Sequence, residues 1–172
     1  MNDFVKYQSI LDYNPDTGVI IWKFRDSSTH YGKIFNSRYG GKPLRYNNGD
    51  GYIKARISGK SYYAHRLAWL LYYGEWPKYQ LDHINGCRSD NRICNLRDVT
   101  DSINRKNSKL RRDSSSGIAG VYWHKQCNKW HARIKHNGRT ISLGLFDTLE
   151  AATEVRKSAE VKYGYHENHG RS

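Results

Sequence analysis

Hydrophobic and polar positions change period several times along the chain. "YNPDTG" is a cluster of turn residues, and the β-branched and aromatic run "VIIWKF" that follows it predicts a strand. In "GYIKARISGKSYYAHRLAW", Ile53, Ala55 and Ile57 alternate with Lys54 and Arg56. The chain turns at Ser58-Gly59 and the alternation resumes at Tyr62 and Ala64, the pattern of a hairpin. From His65 the spacing becomes helical: Leu67, Leu70 and Leu71 recur beside Trp69 and Tyr73 until Gly74 and Pro77 end the run. "YQLDHI" then predicts a short strand, Asn85-Gly86 a turn, "NLRDVT" a return strand and "TDSINRKN" a helix with Thr100 as its cap. Between the first hairpins, "SSTHYGKIFNSRYGGKPLRYNNGDG" reads as a long loop or a flexible basic strand pair.

The polar, basic stretch "RKNSKLRRDSSSG" cannot bury itself and predicts a boundary, with a basic linker at 109–116. Beyond it, "GVYWH", "KWHARIKH" and "RTISLGLF" each alternate. Val121/Trp123, Trp130/Ala132/Ile134 and Ile141/Leu143 lie on one side, with Tyr122/His124, His131/Arg133/Lys135 and Thr140/Ser142 on the other. Asn137-Gly138 is a two-residue hairpin turn, and "DTLEAATEVRKSAEVKYG" carries Ala152, Val155 and Ala159 at helical spacing behind an Asp or Thr cap. The predicted class is α+β: N-terminal hairpins and a central ββα segment over 1–108, with the motif core at 64–108. A three-stranded antiparallel sheet on one helix follows over 117–165, then a tail at 166–172.

Composition adds a partner to this outline. Hydrophobic residues make up 37% of the 172 positions and charged residues 26%, which suits two modest cores better than one large core. Net charge is +13 and the sequence pI about 9.7, so the chain attracts polyanions, and nucleic acid is the expected partner rather than membrane. A merely solvated basic face is the bland alternative. The three cysteines are odd in number and lack disulfide-framework spacing, and "MNDFVKYQ" lacks the pattern of a secretory signal, so a cytoplasmic setting is expected. The longest apolar run, "LAWLLYY", is far shorter than the roughly twenty residues of a membrane span.

The outward face of the C-terminal sheet is basic and aromatic, with few acids from 114 to 146, which suits contact with phosphates and base edges. The run "SGIAGVYWHKQCNKWHARIKHNGRTISLGLFDTLEAATEVRKSA" resembles the ethylene-response-factor type DNA-binding domain. The resemblance implies a sheet inserted in the major groove of double-stranded DNA, with Tyr122, His124, Arg133, Lys135, Thr140 and Ser142 facing the bases. Arg105, Lys106, Arg111 and Arg112 of the basic stretch are expected along the backbone.

The chemistry is concentrated in "LDHINGCRSDNRICNLRDVTDSIN". A structural zinc site takes four ligands, usually including close Cys pairs. Cys87 and Cys94 are six residues apart with no second pair nearby, so no structural zinc is expected. An oxygen site fits better, because Asp82 and an Asn amide suit a hard cation that keeps several waters, such as Mg²⁺ or Mn²⁺. His83, with an ordinary pKa near 6.5, can take a proton from water at neutral pH. Neighbours on a regular strand point to opposite faces, so Asp82 and His83 share a site only if the strand bends or the phosphate lies between their directions.

"AHRLAW" together with "LDHINGCRSDNRICNLRDVTDSINRKN" resembles the HNH endonucleases of the phage and intron-homing type, which carry a ββα-metal fold. The resemblance implies Asp82 and Asn104 as ligands of one divalent ion, His83 as general base and Asn95 as the residue orienting it. Asn85, Gly86, Asp90 and Asn91 match the pattern as structural residues, and His65, Arg66 and Asn107 are left between structural and substrate-contacting roles. The expectation is a two-module, sequence-directed homing-type DNA endonuclease of phage origin, acting in the host cytoplasm. Its rivals are a catalytically inactive DNA-binding regulator and a structured-RNA binder.

Overall fold

The side chain of Asn2 accepts from the Phe4 N–H and opens helix α1, Asp3–Gln8. Strand β1, Leu11–Tyr13, pairs antiparallel with β2, Ile20–Trp22. The turn between them is held by Asn14, whose side-chain oxygen accepts the N–H groups of Asp16 and Thr17 at 3.0 Å each. This is the structure of a computed structural model that describes residues 2–45 and 49–171. Within them, five helices and nine strands form small antiparallel sheets in two units, Met1–Val99 and Thr100–Ser172.

The segment expected as loop or strand pair instead contains helix α2, His30–Arg38. Its start is a local device, since Thr29 Oγ1 accepts the Gly32 N–H at 3.0 Å. Its apolar pattern is weak because Tyr31 and Ile34 stay exposed while Phe35 alone packs on the core, edge-on to Trp22. The chain then returns along the hairpin through bridges Ile21–Pro43 and Trp22–Gly40. Residues 46–48 of the same stretch lie outside the described residues.

Strands β3, Lys54–Ile57, and β4, Lys60–Tyr63, form the expected hairpin. Ser58 and Gly59 at its turn both have positive φ, as a two-residue turn matched to strand twist requires. Helix α3, Ala64–Tyr73, ends on Gly74 in the left-handed conformation. Its Ala64, Leu67, Ala68 and Leu70 are almost wholly buried and meet Tyr7, Leu11, Ile20, Trp22, Ala55, Ile57 and Leu96 in one core. Against this core sits the hairpin of β5, Gln80–His83, and β6, Leu96–Val99, joined by a loop ending in one 3-10 turn at Ile93–Asn95. The first hairpin braces that loop: Tyr13 Oη donates to the Asn91 carbonyl at 2.8 Å, and Ile93 N–H to that of Pro15. Gly18 makes the fit possible, since a Cβ there would lie 2.5 Å from the Arg92 nitrogen.

In the second unit, α4, Asp101–Arg105, is followed by the sheet β7, Val121–His124, β8, Lys129–His136, and β9, Arg139–Phe146. Helix α5, Leu149–Lys162, is capped by Thr148 and packs across the sheet. Val121, Ala132 and Ala152 centre a small core with Ile118, Trp130, Leu143, Phe146 and Leu149. Trp123, expected on the apolar side, is 40% exposed with its ring edge-on to Trp130. A bulge after Ala132 skips one residue of β9: Ala132 pairs with Gly144 but Arg133 with Ser142. The phase shift puts Phe146 rather than Leu145 on the core and leaves Leu145 exposed.

The expected linker and tail are not free ends of the fold. Leu110 N–H donates to the Arg171 carbonyl, Gly170 N–H to Ser108 and His166 N–H to Lys106. Arg171 Nη1 lies 2.6 Å from the Asn107 carbonyl and 3.0 Å from its side-chain oxygen, and Asn107 is buried beneath it. Backbone pairing to the C-terminus holds 106–110 within the second compact unit. Arg171→Ala is expected to destabilise this unit by about 1.5–3 kcal/mol, the worth of a charge-assisted hydrogen bond, read as a lower thermal midpoint.

Candidate active site and nucleic-acid faces

The β5–β6 register places Asp82 opposite Arg97 and His83 opposite Leu96. Cross-strand partners share a face, so strand alternation is intact and the two acid–base residues leave β5 in opposite directions. Asp82 is nearly buried, and its Oδ2 accepts from Arg97 Nε at 3.0 Å and Nη2 at 2.7 Å. On the other side, His83 is 4% exposed and sits edge-on to the His65 ring with centroids 5.0 Å apart, with Tyr52 at 5.9 Å. His65 in turn stacks on Tyr63 at the end of the second hairpin. The Gly86 N–H donates to the His83 carbonyl, so the turn begins directly beyond the imidazole.

Burial pushes the His83 pKa below its ordinary value, against the opposing pull of the Asn91 hydrogen bond and the Asp82 and Asp90 charges. The imidazole is therefore neutral at neutral pH, the form that can accept a proton. Burial, with the His83 and Arg66 charges, drives His65 further, to about 3. Its Nδ1 is buried with no hydrogen-bond partner among the described residues. Arg66 lies over the Trp76 ring at 5.9 Å, an anchor of helix to chain.

Two asparagines of the loop differ in what they touch. Asn91 is 2% exposed and brings Oδ1 to 3.4 Å from His83 Nε2. The hydrogen bonds given for the Asn95 side chain go to the loop backbone: it accepts from the Asn85 N–H at 3.0 Å and donates to the Asp90 carbonyl at 2.8 Å. Asn85 and Arg92 both reach Asp90, at 2.7 Å and 2.6 Å, and hold its carboxyl down to about 2. Asn95 thus shapes the loop, and the loop presents Asn91. Four asparagines crowd this span and composition does not separate them; the separating signal is burial by the first hairpin. Asn104 lies on α4 in the second unit. Asn107 belongs to the bond pattern with Arg171.

The three cysteines are exposed and unpaired. Among the described residues no group of three or more His, Cys, Asp and Glu side chains converges. A hard cation on oxygen ligands does not require such a group, because it retains most of its water, and the Asp82 carboxylate is of the right donor type.

In the second unit the outward face of the sheet is a connected polar row. Tyr122 Oη is hydrogen-bonded to His131 Nδ1 at 2.7 Å, and His131 Nε2 to Ser142 Oγ at 2.8 Å, so one imidazole joins all three strands. Arg133 lies over the Tyr122 ring at 4.4 Å. His131 lies on the face that its alternation predicts, beside rather than among the residues expected to meet bases. A cleft of about 570 Å³ brings Arg105, Lys109 and Arg111 together with Tyr122, Arg133 and Lys135. Thr140 also borders it, His124 is half-buried and Arg112 exposed. Lys106 Nζ donates to the Tyr163 carbonyl at 2.7 Å, which ties down the chain.

Residues 62–106 match the model of a family described as HNH endonuclease. The chain is also similar to Protein 3.8 of Escherichia phage T7, at 27% identity over 114 residues, spanning 63% of this chain and 94% of that relative. No solved structure matches. No helix among the described residues is long and apolar enough to cross a membrane.

Asn91→Ala removes the hydrogen bond that raises the His83 pKa, so an NMR titration should show a lower His83 midpoint. Asn95→Ala should instead cost about 1–3 kcal/mol of stability by leaving loop backbone groups unpaired. The depressed His65 pKa means the unfolded chain binds protons that the folded chain refuses. Stability should therefore fall as pH drops below about 6.5 toward the folded value of about 3. His65→Phe should flatten this acid limb in denaturant titrations.

Proposed function

We propose that the chain is a sequence-directed, homing-type HNH endonuclease that hydrolyses phosphodiester bonds of double-stranded DNA with one divalent ion. The observation that carries the reading is a neutral, buried imidazole at His83, held beside Asn91 at the end of a hairpin inside the matched segment. Asp82 and Asn104 would hold the ion, Mg²⁺ or Mn²⁺, which when bound supplies charge stabilisation for the phosphoryl group and the leaving oxygen. His83 accepts the proton of the attacking water, and Asn91 holds the ring against rotation. Because Asp82 and His83 diverge across β5 without a bend, the reading requires the scissile phosphate to lie across the strand end between them.

The outward C-terminal sheet supplies affinity and base contacts in the manner of the ethylene-response-factor type domain. Tyr122, His124, Arg133, Lys135, Thr140 and Ser142 face the groove, with Arg105, Arg111 and Arg112 on the backbone. The connected row through His131 supports this, because linked side chains present one fixed polar pattern to the bases. A second reading, a DNA-binding regulator without catalysis, is favoured by one observation: Arg97 already neutralises Asp82, and a cation must compete with it.

Purified protein with Mg²⁺ or Mn²⁺ is expected to nick or cut phage or bacterial genomic DNA at mapped, reproducible ends. His83→Ala should lower the rate by about 10²–10⁴ while leaving binding in chelator unchanged. Undiminished cutting by that variant refutes the base assignment, and metal-independent binding without any cutting selects the regulator.

A further inference from the structure

The first unit contains a groove of about 1030 Å³ that the nuclease reading does not use. It runs between the β1–β2 hairpin with α2 on one side and the β3–β4 hairpin on the other. Among the described residues, seven Lys and Arg line it and no Asp or Glu does. The floor is apolar: Trp22, Phe35, Leu44, Ala55 and Ile57 belong to the core or pack on it.

The cations fall into two groups. Some are committed to the fold. Lys54 is buried and paired with Asp50 at 2.7 Å. Lys42 Nζ donates to the carbonyls of Ser37 and Arg38 at 2.8 Å and 3.1 Å, closing the end of α2. Arg25 lies flat on Phe35 at 3.7 Å from the ring centroid, and Lys6 lies near Tyr7. The others are Arg38, Arg45 and Arg56, all exposed and with no acidic side chain in ion-pair distance among the described residues. Arg38 comes from the end of α2, Arg45 from the returning chain and Arg56 from β3. Three separate elements thus direct uncompensated guanidinium groups at one trough.

We propose that this groove is a second nucleic-acid contact surface, one that holds the sugar–phosphate backbone of duplex DNA through Arg38, Arg45 and Arg56. A guanidinium matches the oxygens of a phosphodiester with paired donors, and repeated cations along an open trough fit a repeating polyanion better than a single small anion. Arg25 covers the Phe35 ring at 3.7 Å, and Trp22 is buried in the core, so neither ring is offered to an unstacked base. The groove would supply affinity without reading sequence. The proposal builds on the DNA-directed reading above but does not need the chain to cut.

The test is binding of the full chain to a mixed-sequence duplex of roughly 40 base pairs in chelator, measured across a series of salt concentrations. The comparison is wild type against the triple variant Arg38→Gln, Arg45→Gln, Arg56→Gln. Each lost phosphate contact should reduce the slope of log affinity against log salt by about 0.9, so the variant should lose about 2–3 units of slope and bind at least tenfold more weakly near 0.15 M. Its thermal midpoint should stay at the wild-type value, because none of the three side chains is buried. An Arg→Lys triple variant, which keeps the charge, should recover most of the slope. Unchanged slope and affinity in the glutamine variant overturn the proposal. So does micromolar binding of a free nucleoside triphosphate that the triple variant abolishes, which would mark a small-anion site. Absence of cutting with intact groove-dependent binding would count against the nuclease reading and leave the groove standing.

Discussion

A β-strand sends adjacent side chains to opposite faces, and Asp82 and His83 are adjacent on β5. Most of the first unit serves the consequences of that geometry. One face needs a counter-charge for a nearly buried carboxylate, and Arg97 provides it from the paired strand. The other needs a dry, defined seat for an imidazole. His65 and Tyr52 wall it on one side, and Asn91 reaches its Nε2 from a loop that could not hold its shape alone. The loop is stiffened from within by the Asn85–Asp90–Arg92 contacts and from without by the first hairpin. The distant N-terminal strands therefore bear on the site through the loop backbone, at the carbonyl of Asn91 and the N–H of Ile93.

The two units handle their basic charge in different ways. In the second, guanidinium groups are interleaved with Tyr122, His131 and Ser142, which offer directional hydrogen bonds suited to recognising bases. In the first, the exposed arginines of the groove rise from an apolar floor without such partners, an arrangement that attracts phosphate irrespective of sequence. Under the proposed reading both surfaces would meet the same polymer, and only that of the second unit has the directional groups to discriminate within it.

Legibility in the sequence followed the range of the forces involved. The hairpin at Ser58-Gly59, the stop of α3 at Gly74 and the cap of α5 at Thr148 are local stereochemistry and could be read directly. Helix α2 was hidden because its apolar stripe is nearly absent; a single hydroxyl at Thr29 sets it. The bulge after Ala132 reversed the facing of Leu145 and Phe146, which strict alternation cannot foresee. Within the site, Asp82 and His83 stood out by chemistry, whereas Asn91 was indistinguishable from Asn95 without knowing that Tyr13, 78 residues earlier, packs on its backbone. The anchoring of the basic stretch is hidden for a related reason. Backbone pairing between 106–110 and 166–171 leaves no trace in composition.

That pairing also changes what the basic stretch is worth to a binding partner. A disordered run of arginines must surrender conformational freedom when it settles on a polyanion, and each ordered residue costs roughly 1–2 kcal/mol of backbone entropy. Here Lys106, Ser108 and Leu110 are already stitched to the C-terminal strand of chain, so Arg105, Lys109 and Arg111 stand on a scaffold whose freedom was given up during folding. Under the proposed reading their charge would act as a rigid template rather than a tether, and association through it would draw little on the entropy of the chain.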